Sequence, residues 1–290
     1  MTFTVAAVVL ALGAPVVPVP ELTTELWQVA PDTSEKPWVA PATASEKARA
    51  VVLIHGLYVH PVRPSKAAQP WRRDWQEPKS ELVKALAKDS DVFAFAYSQT
   101  APVEEVSYGP GLRDAVGRLR KAGYKEVVLV GHSAGAVVAR QFVERYPDGG
   151  ATKVVAVAAP FAGVEFATFK VGYPKVQAPF VHSLAPDVRI EAVRANKTPL
   201  GKDVQIVCVV CKLKLVETDG LVFTASQWPE DLQRSGVPAV LATVHHFSVM
   251  QNTAAVKQIA ELVREKLARW SPDEVAQARK VIFGEPAREK

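Results

Sequence analysis

Short runs made almost wholly of apolar residues alternate along this chain with segments whose apolar residues recur at helical spacing. That alternation limits the fold more than any other feature. The runs are residues 50–54 (AVVLI), 92–97 (VFAFAY), 127–130 (VVLV), 154–158 (VVAVA) and 204–210 (VQIVCVV). A strand with one wet face alternates polar and apolar residues, whereas a continuous run marks a strand buried on both faces. Between the runs, Leu112, Ala115, Val116 and Leu119 fall at i, i+3, i+4 and i+7, and Ser80 is placed to cap a helix carrying Leu82, Val83, Leu86 and Ala87. Val256, Ile259, Ala260, Val263 and Leu267 form a later stripe. The pattern predicts an α/β fold, a mainly parallel central sheet with helices on both faces. Ser271-Pro272-Asp273-Glu274 reads as a cap, a proline at the first helical position and two acids, the start of an extra C-terminal helix.

The chain has 290 residues, 48% of them hydrophobic, enough for one large core. No internal repeat is visible, and residues 21–290 are read as a single domain. The irregular stretches are 32–48, 61–78 with Trp71 and Trp75, and 161–203. The last is too short for a large cap domain. Its aromatics (Phe161, Phe166, Phe169, Tyr173, Phe180) suit either a pocket wall or ordinary packing, and the two tryptophans suit either a cleft lining or core cover.

Residues 1–20 (MTFTVAAVVLALGAPVVPVP) carry an apolar stretch at 5–12 followed by small residues and prolines. This reads as a signal peptide, and export to the periplasm or beyond is expected. No Lys or Arg precedes the stretch, so a cytoplasmic location is the alternative. The stretch is too short to span a bilayer, and no integral membrane segment is expected. Net charge is +5 with scattered basic residues, densest at Arg72-Arg73 and Arg120-Lys121. Without a basic stripe, no nucleic-acid partner is expected. Cys208 and Cys211 lie in an apolar strand, where residues three apart face opposite sides, and read as two separate small hydrophobes. No H-E-x-x-H or other ligand cluster points to a metal, and no cofactor motif appears.

The site signal is Gly131-His132-Ser133-Ala134-Gly135, of the form G-x-S-x-G, between an apolar strand and a run of helical composition. Strand, tight turn and helix are what a nucleophile elbow requires. The turn pushes the serine out at the C-terminal edge of the sheet, where open α/β folds bind ligands. Gly131 and Gly135 then leave room for the neighbouring strand and helix. The alternative is a serine that merely caps the helix. The first core strand runs into His55-Gly56, and Gly56 lets that loop approach the serine. The backbone N–H groups of Leu57 and Ala134 are the expected oxyanion donors. A serine nucleophile needs a base, and the base an orienting acid. Asp219 in "TDGLV" and His246 in "HHFSVM" supply them in the order Ser…Asp…His. Asp187 and Asp231 are alternative acids, the second explicable as a helix cap. His245 is the alternative base. Phe247 and Val249 are expected to pack inward and hold the base loop.

The segments "VVLIHGL", "VVLVGHSAGA", "AAPFAG", "TDGLV" and "HHFSVM" together resemble an α/β-hydrolase, nearest in pattern to bacterial lipases and esterases. The resemblance spans roughly residues 50–270. It implies a catalytic triad of Ser133, Asp219 and His246, with oxyanion donors at Leu57 and Ala134, acting on a small ester or lipid without a cofactor. A phenylalanine directly after the base is frequent in that family, which favours His246. A thioesterase, acyltransferase or amidase would use the same triad, and a non-catalytic binding protein on this fold is the remaining alternative. Chain length of the substrate and oligomeric state are not readable from these residues.

Overall fold

A computed structural model describes residues 21–31, 36–39, 46–59, 63–169, 171–196, 201 and 203–284. The predicted signal peptide, residues 1–20, lies outside the described residues. The strands are β1 (Thr24–Ala30), β2 (Arg49–Ile54), β3 (Asp91–Tyr97), β4 (Glu126–His132), β5 (Lys153–Val157), β6 (Gln205–Lys212) and β7 (Ala239–Thr243). They form one sheet in the order β1-β3-β2-β4-β5-β6-β7. Every pairing is parallel except the edge pair β1–β3. The helices are α1 (Glu81–Leu86), α2 (Val103–Tyr108), α3 (Pro110–Lys121), α4 (Ala134–Arg145), α5 (Ala178–His182), α6 (Pro186–Ala195), α7 (Thr224–Gln227), α8 (Glu230–Arg234), α9 (Thr253–Arg264) and α10 (Pro272–Phe283).

The two faces of the sheet feed separate cores. Ala50, Val52 and Ile54 of β2 point to one face, packed by α2, α3, α4 and α10, whereas Val51 and Leu53 point to the other, packed by α1 and α9. This is why the strands read as unbroken apolar runs: each side chain has a covered face to enter. Cys208 and Cys211 divide the same way, one into each core, both free and buried. Burial pushes the Cys208 thiol up to about 12 and raises Cys211 as well. Ser80 caps α1 by accepting the Val83 N–H, and Ser271 with Glu274 forms a capping box on α10.

Two further strands, β1 and β7, complete the sheet. β1 mixes Glu25, Trp27 and Gln28 with apolar residues because, at the edge of the sheet, it is only partly covered on both faces. β7 is short and only half buried. Between β5 and β6 the described chain carries only α5, α6 and two 3₁₀ turns, Glu165–Thr168 and Lys175–Gln177. No helix among the described residues is long and apolar enough to cross a membrane.

Candidate active site

β4 ends at His132, α4 begins at Ala134, and Ser133 makes the turn between them with φ 55° and ψ −127°. That backbone is costly for a side-chain-bearing residue, about 1–3 kcal/mol, so surrounding contacts must impose it. The Ser133 N–H donates to Val157 O of β5 at 2.8 Å. A Cβ on Gly131 would sit 2.5 Å from the Ala136 backbone, and one on Gly135 would collide with Ile54 O. The glycines let helix and strand close on the serine from both sides.

Asp219 sits in the turn after β6 and is fully buried. Its Oδ1 accepts the Leu221 and Val222 N–H groups at 3.0 and 2.8 Å. Its Oδ2 lies 2.7 Å from His246 Nδ1 and 3.3 Å from Gln227 Nε2. The far ring nitrogen of His246, Nε2, lies 3.0 Å from Ser133 Oγ. A carboxylate only accepts, so Nδ1 carries the ring proton and Nε2 presents a lone pair to the serine hydroxyl. The His246 main chain is pinned at both ends: its N–H donates to Asp219 O at 2.9 Å, and its carbonyl accepts His132 Nε2–H at 3.0 Å. His132 is buried, and desolvation, with the nearby His246 adding to it, holds its pKa well below the usual histidine range. It is therefore a neutral donor.

The structure thus brings Ser133, Asp219 and His246 into one hydrogen-bonded line. His245 points outward, lying over Gly220 and accepting the Phe247 N–H at 3.3 Å. Asp187 occupies the first turn of α6, and Asp231 pairs with Arg140, while the carboxylate on His246 is that of Asp219. Val249 is buried as expected, but Phe247 is not. It is 63% exposed and forms part of the cavity wall in front of Ser133, because its neighbour His246 takes the inward position.

Leu57 and Ala134 flank the serine. Ala134 is the first residue of α4, so its N–H has no intrahelical acceptor. A Cβ on Gly56 would lie 2.6 Å from Ser133 Cβ, which places the Leu57 loop against Ser133. That loop is fastened by side chains no motif announces. Tyr97 O–H donates to His55 O at 2.6 Å, and Gln99 Nε2 to Gly56 O at 2.9 Å. The Tyr58 N–H donates to Gln99 Oε1 at 2.9 Å, and Gln177 Nε2 to Tyr58 O at 2.8 Å. His55 stacks on Tyr97 with ring centroids 4.3 Å apart and holds the loop from below.

A cavity of about 460 Å³ opens in front of Ser133. Leu57, Val164, Phe166, Leu221, Val222 and Phe247 make it mainly apolar, and Arg73 brings in a charge. Of the aromatics in residues 161–203, Phe166 faces this cavity and Phe161 and Phe180 are core, while Phe169 is exposed. Trp75 is buried against His132, and Trp71 packs beside Tyr58 and His55, outside the wall. Among the described residues no group of His, Cys, Asp and Glu could hold a metal ion.

Residues 51–284 match the profile of the alpha/beta hydrolase family. No curated protein matches the sequence. Among solved structures, the mature lipase of Bacillus licheniformis superposes with TM-score 0.57 at 13% identity, over 85% of this chain and 99% of that one. Phospholipase PlaB from Legionella pneumophila gives 0.54 at 11% identity, over 81% and 63%. A metagenomic carboxyl esterase gives 0.50 at 16% identity, over 90% and 82%. At these identities the likeness is one of fold.

Proposed function

The chain belongs to the alpha/beta hydrolase family, and from that premise we propose that it hydrolyses carboxylic esters through an acyl-enzyme on Ser133. The observation that carries this reading is the line Asp219 Oδ2, His246 Nδ1, His246 Nε2, Ser133 Oγ, with links of 2.7 and 3.0 Å, ending at an apolar cavity. In the reading, Ser133 Oγ attacks the ester carbonyl while its proton passes to His246 Nε2. Asp219 steadies the imidazolium that forms. The carbonyl oxygen, now an oxyanion, accepts from the Leu57 and Ala134 N–H groups, each donor being worth about 2.7–4 kcal/mol in the transition state. The tetrahedral intermediate collapses as His246 gives its proton to the leaving alcohol oxygen. A water then repeats the sequence on the acyl-enzyme and releases the acid.

The first test is a series of p-nitrophenyl esters from acetate to palmitate, with a fluorophosphonate probe located by mass spectrometry. Label on Ser133, and loss of both label and turnover in Ser133→Ala, are the expected results. Label on another serine, or turnover in the variant, would refute the assignment. Acyl-CoA and anilide substrates in the same assay separate an esterase from a thioesterase or amidase, which share the oxyanion chemistry.

A further inference from the structure

Arg73 differs from the arginines sunk deepest in the protein. Arg140 and Arg189 are buried and both meet carboxylates, Arg140 at Glu144 (2.7 Å) and Asp231, Arg189 at Glu104. Arg73 is half-buried in the wall of the Ser133 cavity. Among the described residues the hydrogen bond it donates is a main-chain one, from its N–H to Gln76 Oε1 at 2.8 Å. Among the described residues its guanidinium meets no carboxylate within ion-pair distance, and the adjacent Asp74 is exposed. What holds it is aromatic. Its guanidinium carbon lies 4.7 Å from the Tyr58 ring centroid and 5.5 Å from that of Trp71.

Stacking occupies the face of a guanidinium and leaves its in-plane N–H donors available to an acceptor. Burial already pulls the Arg73 pKa down, the mark of a cation losing water without full compensation. The group nevertheless stays charged, because arginine does not deprotonate in this range. A purely hydrocarbon ester filling the cavity would strip away its remaining water and offer no acceptor beyond the scissile ester group, whose carbonyl oxygen belongs to the oxyanion donors. An ester bearing an anion at the end of a short hydrocarbon spacer would satisfy both the apolar wall and the cation.

Resting on the hydrolase reading above, we infer that Arg73 selects esters whose acyl or alcohol part carries an anionic group, a carboxylate or a phosphate. The position of Tyr58, directly after Leu57, puts the charge beside the oxyanion loop as well. A guanidinium serving the oxyanion instead would speed neutral and anionic esters alike, and this difference separates the two roles.

The full chain is assayed on matched pairs. One pair is the p-nitrophenyl ester of a short ω-carboxyacyl chain and its ω-carboxamide twin. The other is a short-chain phosphatidic acid and the matching diacylglycerol. The wild type is expected to prefer the anionic member of at least one pair by about 10–100-fold in kcat/KM, mostly through KM, and added salt should shrink the ratio. A preference confined to the first pair puts the anion on the acyl side, one confined to the second puts it on the alcohol side. Arg73→Gln should bring the ratio close to one, Arg73→Lys should keep part of it, and Arg73→Glu should reverse it. A wild-type ratio near one in both pairs overturns the inference, as does an equal loss on both members in Arg73→Gln. Should the variants fail to fold, the wild-type ratio and its salt dependence decide alone. Absence of turnover on every ester together with no fluorophosphonate label would overturn the hydrolase reading, and this inference with it.

Discussion

Asp219→Asn replaces one oxygen by an amino group at almost unchanged shape, and the contacts of Asp219 dictate the result. The carboxylate accepts from four donors: Leu221 and Val222 N–H on Oδ1, His246 Nδ1–H and the longer Gln227 contact on Oδ2. An asparagine offers one oxygen to two sides. With that oxygen on the Leu221 and Val222 side, its NH₂ faces His246. The ring must then carry its proton on Nε2, where it cannot take one from Ser133. With the amide flipped, the His246 bond survives but two main-chain N–H groups meet an NH₂. Two hydrogen bonds of about 1 kcal/mol each are lost in that orientation, besides the cost of burying unpaired donors. The first orientation is therefore favoured by about 2 kcal/mol or more, so that only a few per cent of molecules hold the productive tautomer. Those few also lack the charge that steadies the imidazolium. Selecting the wrong tautomer in an intact site costs about 10⁴ in kcat. We expect kcat on p-nitrophenyl butyrate to fall by about 10³–10⁴, KM to change little, and the melting temperature to move by no more than a few degrees. A folded Asp219→Asn protein with kcat within tenfold of wild type would refute the reasoning.

The two adjacent histidines should separate cleanly: His246→Ala should lose at least about 10²–10⁴ in kcat/KM, and His245→Ala should stay within severalfold; the reverse pattern would exchange their roles. Relief of the Ser133 backbone predicts that Ser133→Gly melts in urea with about 1 kcal/mol more stability than Ser133→Ala, both being inactive; equal or lower stability would show that the turn stores no strain. Burial lowers the folded-state pKa of His132 below its unfolded value, so below about pH 6.5 the unfolded chain binds a proton that the folded protein refuses. Stability should then fall as pH drops from about 6.5 toward the folded pKa, by up to about 1.4 kcal/mol per pH unit from this group. Urea melts at pH 7 and 5 should show a shallower loss in His132→Gln, and identical slopes would argue against the assignment.

Much of this arrangement is legible in the sequence. The strands at the sheet centre were readable because double-sided burial leaves no polar residue to break the run. G-x-S-x-G is readable because the elbow needs small residues at fixed offsets, whereas Asp219 and His246 are singled out by the order Ser…Asp…His that the α/β-hydrolase resemblance implies. Edge strand β1 is hidden because half-buried Glu25, Trp27 and Gln28 break up its apolar residues. The hydrophobicity of Phe247 argues for an inward side chain, yet the inward position in that loop belongs to His246, whose ring is held by Asp219 and Ser133. The residues at 161–203 gave no periodic signal because their elements are one to three turns long. Arg73 carries no motif at all: its position in the cavity comes from the path of the loop and not from a spacing.

The deepest gap between sequence and structure concerns glutamine. Gln76, Gln99, Gln177, Gln227 and Gln233 are all buried, and glutamine is a residue mostly found in water. Each of these five has its amide nitrogen on a main-chain carbonyl, whereas the buried Gln141 bonds the side chains of Ser107 and Glu104. Gln76 joins Leu53 O to the Arg73 N–H, and Gln99 joins Gly56 O to the Tyr58 N–H. Gln227 takes the Cys211 N–H, gives to Cys211 O and Val222 O, and reaches Asp219. The physical reason lies in the parallel sheet. Its strands end at one edge, and the loops leaving that edge lose the ladder partners they had as strands. A buried N–H or C=O without a partner costs about 1–3 kcal/mol, so something must replace the ladder. A side-chain amide presents donor and acceptor together, as a peptide group does, and can stand in for the missing strand. Gln99 and Gln227 do this for the loops that carry Leu57 and Asp219. The sharp geometry of the site is therefore not held by the site residues alone. It extends from the sheet through amides that look, in the sequence, like surface residues.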